Sequence, residues 1–216
     1  MGEVVFNRAS LRAAELPAYE GIALADVTLV DSPALADEAL AALLAADVIG
    51  FDTESKPTFR KGEQSTGPHL VQLALETRVY LFQISRLPAT PALKAILESP
   101  RVLKVGFGLG NDLGVLKSKL DIDLNHFIDL GEVLRSEEHP GTVGAKVAVA
   151  HFFAARLQKS KKIGTSNWAS DRLAERQLLY AANDAQVALR VYRAWAPGGE
   201  GPRTILSQPR TLSAES

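Results

Sequence analysis

Val48-Ile49-Gly50-Phe51 is an unbroken apolar run that stops at Asp52, with Glu54 two residues further on. A short continuous run of this kind is the mark of a strand buried on both faces. Before it, Ser32-Pro33 opens a helix, Ser as the N-cap and Pro at the first helical position, carrying Leu35, Leu40, Leu43 and Leu44 toward Asp47. After it comes a loop at 56–68 rich in Gly, Pro and charge. Segments 69–75 and 79–84 then read as an antiparallel hairpin turning at Glu76-Thr77-Arg78. Further on, the pattern predicts a short helix from Pro91 to Glu98, a strand over 101–107 and a helix over 111–120. A strand over 127–129, helical segments at 131–135 and 143–157, and a long helix from about Asp171 to Trp195 complete it. Three strands followed by alternating helices and strands predict one α/β domain, a mixed sheet flanked by helices. Its expected span is 25–196. Residues 1–24 show no clear period and read as an N-terminal extension. Residues 197–216, with three Pro, three Gly and three Ser, read as a flexible tail.

The chain has 216 residues, enough to bury a substantial core. Lys plus Arg is 24 against 25 Asp plus Glu, a net charge of −1, so any contact with nucleic acid must come from local patches. With no cysteine, disulfide frameworks, Cys-ligated zinc and thiol catalysis are all excluded. The longest charge-free stretch, Gln64 to Leu75, is twelve residues and too short to span a bilayer. Glu3, Arg8, Arg12 and Glu15 stand where a secretory signal would need an apolar run. The expectation is a cytoplasmic protein with no membrane contact.

Four acidic positions carry the candidate chemistry. Asp52 and Glu54, two apart at a strand end, point to the same face if the extended backbone continues. Taken alone, such a pair at a strand end is more commonly a solvated turn. On the last helix, Leu178, Ala181, Ala182, Ala185, Ala188, Leu189 and Tyr192 form an apolar stripe. Arg172, Glu175, Arg176, Asn183, Gln186, Arg190 and Arg193 fill the opposite arc. Tyr180 and Asp184 lie on a line with Leu173, Val187 and Val191, which directs a phenol and a carboxylate inward. A buried carboxylate needs a cation, either a core Arg or Lys or a metal. Asp112 follows Val105-Gly106-Phe107-Gly108-Leu109-Gly110-Asn111, a strand exit opening into a helix. Its glycines lack the spacing of a dinucleotide-binding loop, because the third glycine position falls on Asn111 or on Leu113. By itself Asp112 reads first as a favourable charge at a helix N-terminus. An oxygen-only set of four carboxylates suits Mg²⁺ or Mn²⁺. Two such ions about 3.5–4 Å apart are a known arrangement for phosphodiester hydrolysis, and a tyrosine one turn from a ligand is placed to orient water.

Taken together, Phe51-Asp52-Thr53-Glu54, Val105-Gly106-Phe107-Gly108 through Asp112-Leu113, and Tyr180-Ala181-Ala182-Asn183-Asp184 resemble the DEDD 3′-5′ exonucleases. The resemblance is to their tyrosine subgroup, which includes ribonuclease D and the Werner-type exonuclease domain. Ser166-Asn167-Trp168-Ala169 and the Leu173 to Leu178 segment look like that family's lead-in to its third motif. The loop from Lys56 to Gly62 is similar to the Werner-type branch. The likeness covers roughly residues 26–195. It implies an RNase H-like fold and a hydrolase that releases nucleoside 5′-monophosphates from a free 3′ end of DNA or RNA. Asp52, Glu54 and Asp184 would hold one ion, Asp52 and Asp112 a second, and Tyr180 would position the attacking water. The sister subgroup has His five residues before the last Asp; Leu179 stands there in this chain, which implies the tyrosine version.

Two basic patches flank these positions: Arg60-Lys61 after the first, and Arg156, Lys159, Lys161 and Lys162 before the last. They are candidate phosphate contacts, and Phe59 a candidate for stacking on a terminal base. Two alternatives stand beside the exonuclease. One is a catalytically silent nuclease-fold module that binds nucleic acid; the other is a hydrolase of another phosphoester. Oligomeric state and RNA-against-DNA preference are open at this point.

Overall fold

Six strands form one mixed sheet in the computed structural model of the chain, which describes residues 16–58, 62–63, 65–86, 90–135 and 141–196. In chain order the elements are β1 (Val27–Val30), α1 (Pro33–Leu44), β2 (Val48–Glu54), β3 (Leu70–Ala74), β4 (Val79–Gln83), α2 (Thr90–Leu97), β5 (Leu103–Gly106), α3 (Gly110–Leu120), β6 (Phe127–Asp129), α4 (Leu130–Val133), α5 (Ala145–Phe153), α6 (Lys161–Gly164) and α7 (Glu175–Trp195). The strand order is β1-β4-β3-β2-β5-β6. β3 pairs antiparallel with both β2 and β4, and every other pair is parallel, so one strand of the six runs against the rest.

The strand runs and caps account for most of this. Ser32 caps α1 by accepting from the Leu35 amide at 3.4 Å, with Pro33 as its first residue. β2, β3 and β4 are apolar on both faces because helices cover both sides of the sheet. Ile49, Phe51, Val71, Leu73, Tyr80 and Phe82 pack under α1 and α2, with Leu116 of α3. On the opposite face Leu70, Ala74, Val79 and Leu81 meet Ala181, Ala182 and Ala185 of α7, and Val105 and Ile128 meet Val187 and Val191.

The structure departs from the sequence reading in several places. The helix expected over 143–157 spans only Ala145–Phe153, because Ala154 takes a left-handed C-cap at φ 47°. β1 has no counterpart in that reading. It adds to the sheet edge in register with β4, Val27 opposite Val79 through Val30 opposite Phe82. The last helix begins at Glu175 rather than Asp171, because the Gln177 side chain folds back to accept from the Ala174 amide at 3.0 Å and closes the N-terminus there. Gln186, assigned to the polar arc of that helix, is buried at 1% exposure, since the β3–β4 turn covers it and its amide donates to the Glu76 carbonyl at 3.2 Å. Of the expected extension, residues 16–24 are described. In this segment the Tyr19 amide donates to the Arg156 carbonyl at 3.0 Å, the Arg156 amide donates to the Pro17 carbonyl at 2.8 Å, and the Ile22 amide donates to Asn183 Oδ1 at 3.0 Å. Residues 1–15 and the expected tail, 197–216, lie outside the described residues.

Candidate active site

The site forms where α7 crosses β2. Gly50 makes the crossing close: a Cβ there would lie 2.0 Å from the Ala185 carbonyl oxygen of α7. With only hydrogen at that point the helix backbone comes down onto the strand, and Asp184, one residue before the contact, arrives beside the strand's exit. In β2 the alternation that turns Ile49 and Phe51 under α1 turns Gly50, Asp52 and Glu54 toward α7. Asp112 arrives from the first turn of α3, and its carboxylate accepts a short hydrogen bond from the Thr53 hydroxyl.

Asp129 sets that last approach. One of its carboxylate oxygens accepts from the Gly108 amide at 3.0 Å and from Gly131 at 2.9 Å, and the other from Leu109 at 2.8 Å. With Gly108 at φ +73°, these bonds fold the β5 exit into the start of α3. Sequence reasoning passed over Asp129 and Thr53. The only signal for Asp129 is an acidic residue ending a short strand, and the two partners that shape the β5 exit, Gly108 and Leu109, lie some twenty residues away.

The electrostatics follow from crowding acids together away from water. Burial, with Asp184 and Asp112 nearby, raises the pKa of Asp52 well above the usual carboxylate range. Burial and the neighbouring Asp52 and Asp184 push Glu54 up to about 9. Asp112 and Asp184 are raised as well, chiefly by burial; the Thr53 hydroxyl works against the shift at Asp112 and Lys159 against it at Asp184. Lys159 Nζ sits 2.9 Å from Asp184 Oδ2 and 5.8 Å from the centre of the Tyr180 ring. Burial opposes the charge on Lys159, but Asp184, Asp52 and Glu54 outweigh it and raise the pKa.

Tyr180 lies one turn before Asp184 on α7, and burial together with the nearby carboxylates keeps its phenol protonated. Its ring is 6.2 Å from that of fully buried Trp168, whose indole N–H donates to the Gly164 carbonyl at 3.1 Å. Gly164 stands so close to the phenol that a Cβ there would be 2.8 Å from the Tyr180 oxygen. Of the remaining candidates, Lys161 and Lys162 are exposed on α6 and pair with no carboxylate among the described residues. Phe59, Arg60 and Lys61 lie outside the described residues.

Among the described residues no three acidic or histidine side chains converge on one point as a finished set of metal ligands, Asp184 being turned to Lys159 and Asp112 to Thr53. The donor chemistry nevertheless fits a hard divalent cation. It is all oxygen, its acids repel one another, and an ammonium has been drawn in where positive charge is needed.

A mixed sheet with one reversed strand, helices on both faces and acids from β2, α3 and α7 gathered at its centre defines an RNase H-like nuclease domain. Residues 27–197 match the family model described as 3′-5′ exonuclease, and the chain belongs to that family, within the DEDD superfamily. It is 34% identical over 149 residues to the mouse (Mus musculus) bifunctional 3′-5′ exonuclease/ATP-dependent helicase WRN, covering 68% of this chain and 11% of that protein. Among solved structures, the EXO domain of Aedes aegypti Nibbler superposes with a TM-score of 0.68 at 25% identity, covering 82% of this chain and 91% of that one. Escherichia coli RNase D shares the fold with a TM-score of 0.67 at 23% identity, over 76% of this chain and 43% of that one. The chain spans 42–47% of the length of the fly 3′-5′ exonucleases it also matches. Exonuclease domains of this superfamily are generally divalent-metal-dependent. Among the described residues no helix is long and apolar enough to cross a membrane.

Proposed function

We propose that this protein hydrolyses the terminal phosphodiester bond at the 3′ end of DNA or RNA and releases nucleoside 5′-monophosphates, in the manner of the tyrosine subgroup. What carries this reading is the crowding of Asp52 and Glu54 from β2 with Asp184 from α7, near enough that Asp52 is raised by Asp184 and Glu54 by both, with Asp112 adjoining and Tyr180 one turn before Asp184. Asp52, Glu54 and Asp184 are the residues to hold one divalent ion, and Asp52 with Asp112 a second, Mg²⁺ or Mn²⁺. When bound, such ions activate water and stabilise the leaving oxygen.

The chain's own groups do the rest. Tyr180 keeps its proton, so its hydroxyl can orient water toward phosphorus. Water adds, the bond from phosphorus to the 3′ oxygen breaks, and the shortened strand keeps a new 3′ hydroxyl. Lys159 neutralises Asp184 before ions and substrate arrive, and Thr53 and Asp129 hold Asp112 at the β2 exit.

The test is a time course on 3′-labelled and 5′-labelled DNA and RNA oligonucleotides with Mg²⁺, with Mn²⁺ and with EDTA. The expected result is immediate loss of the 3′ label, a ladder shortening from the 3′ end on 5′-labelled strands, and no reaction in EDTA. Full turnover in chelated buffer, or cleavage from the 5′ end, would overturn the proposal.

A further inference from the structure

Beside Tyr180 and Asp184 an open groove of about 870 Å³ runs along the outer face of α7. Lys146 from the first turn of α5, Arg156 and Lys159 from the segment between α5 and α6, and Arg176 from the first turn of α7 line it. Asp184, at its catalytic end, is the only carboxylate among its lining residues. Arg156 and Lys159 belong to a basic patch legible in the sequence, but Lys146 and Arg176, thirty residues apart, join them only through the fold.

Their pairing sets them apart. Elsewhere the basic side chains are often satisfied: Arg193 by Asp47 and Glu76, Lys117 by Asp121 and Asp123, Lys94 by Glu98 and Asp121. Lys146, Arg156 and Arg176 are in no ion pair among the described residues. Three unpaired cations in one groove, on a chain of net charge −1, are a local positive field that invites a polyanion. The groove also has a fixed aromatic on its wall. Tyr19 is held by Arg190, whose Nη1 donates to its hydroxyl at 3.0 Å, and by Phe153, 5.8 Å away between ring centres. A second hollow, about 360 Å³, adjoins across α6; it shares Ser160, Ile163 and Arg176 and adds Lys162.

We propose that this groove is the track for the single-stranded backbone of the substrate behind its 3′ end. Phosphates would pass Lys159, Arg156, Lys146 and Arg176, with Tyr19 available to a base. The inference rests on the exonuclease reading and adds to it the path of the strand and the residues that grip it. A free nucleotide would need only the catalytic end. An open trough lined by unpaired cations and continuous with the carboxylates suits a polymer. Phosphate contacts of this kind hold register without reading sequence.

The experiment compares the full chain with its Lys146→Ala/Arg176→Ala double variant on fluorescein-labelled single strands of two, five and ten nucleotides. Binding is followed by anisotropy in EDTA across a salt series, and turnover of the same strands is measured with Mg²⁺. Each phosphate neutralised on a single strand contributes about −0.7 to the slope of log affinity against log salt, so the double variant should flatten that slope by roughly 1.4. Its loss should grow with length: about tenfold or more at ten nucleotides, and markedly less at two. Equal losses at every length would put these cations at the terminus and overturn the track, as would an unchanged slope. Failure of the exonuclease reading looks different, because the unaltered chain would then turn over none of the three strands.

Discussion

The Tyr180 hydroxyl has no hydrogen-bond partner among the described residues, whereas its ring packs against Trp168 and takes the Lys159 ammonium at 5.8 Å. Ring and hydroxyl can therefore be tested apart. Tyr180→Phe keeps the packing and breaks no intramolecular hydrogen bond, so the loss of about 1 kcal/mol that follows removal of a bonded hydroxyl is not expected. Turnover should fall by about 10²–10⁴-fold, the usual contribution of a positioned acid, base or water-orienting group. Melting temperature and metal affinity should hold. A variant that melts as before and keeps its rate would remove the hydroxyl from the reaction. Lys159 shows the converse at the same scale. It belongs to a run of basic residues in sequence, yet it turns inward to Asp184, while Lys161 and Lys162 remain in solvent.

Among the elements, the four-residue helix α6 has an influence out of proportion to its length. Ser160 caps it, the Trp168 indole ties down its last carbonyl, and Gly164 at its end faces the phenol of Tyr180. In Gly164→Ala the new methyl would stand 2.8 Å from the phenol oxygen and 3.4 Å from the carbon that bears it. The far end of a side chain can yield where a backbone cannot, so the domain should stay folded while the hydroxyl shifts. A misplacement near 1 Å can lower a rate about 10²-fold, and a loss between tenfold and that figure is expected here. Because both changes act through one hydroxyl, Gly164→Ala combined with Tyr180→Phe should be no slower than Tyr180→Phe alone. Multiplying losses in the double variant would show that Gly164 acts elsewhere. The longer helix α7 is positioned by a harder constraint, since at Gly50 the atom in the way is the Ala185 carbonyl oxygen at 2.0 Å.

For the whole molecule the notable electrostatic load lies outside the site. Lys104 on β5 is fully buried and donates to the Ser99 and Val102 carbonyls at 2.8 and 2.9 Å, with no carboxylate partner among the described residues. Burial lowers its pKa from 10.5 to about 8. The unfolded chain therefore holds this proton up to about pH 10.5 and the folded chain only to about pH 8. Between those values the unfolded state binds more protons, so this residue's contribution to stability rises with pH across the window, and below it the penalty is complete. Lys104→Met should raise the melting temperature at pH 7 and remove that rise between pH 8 and 10.5, an effect of up to roughly 3 kcal/mol. Thermal melts at a series of pH values check it. An unchanged pH profile would mean that the two carbonyls compensate the buried charge in full.

Features encoded within a few residues are legible along the chain. The apolar run into Asp52, the Ser32-Pro33 cap, the β3–β4 hairpin and the inward line of Tyr180 and Asp184 on their helix all depend on period and capping, which neighbours along the chain decide. Even there, the start of α7 moved from Asp171 to Glu175, because the Gln177 side chain closes the helix at Ala174. Whatever needs distant segments to meet comes from packing instead. β1 pairs with residues about fifty positions away, and Gln186 is buried because the β3–β4 turn packs over it. Lys159 has a carboxylate to face only once α7 has settled on Gly50. The groove needs α5, α6 and α7 in place before Lys146, Arg156 and Arg176 share one surface. Charge is a property of each residue, but an electrostatic field depends on distances, and distances between remote residues are set by packing.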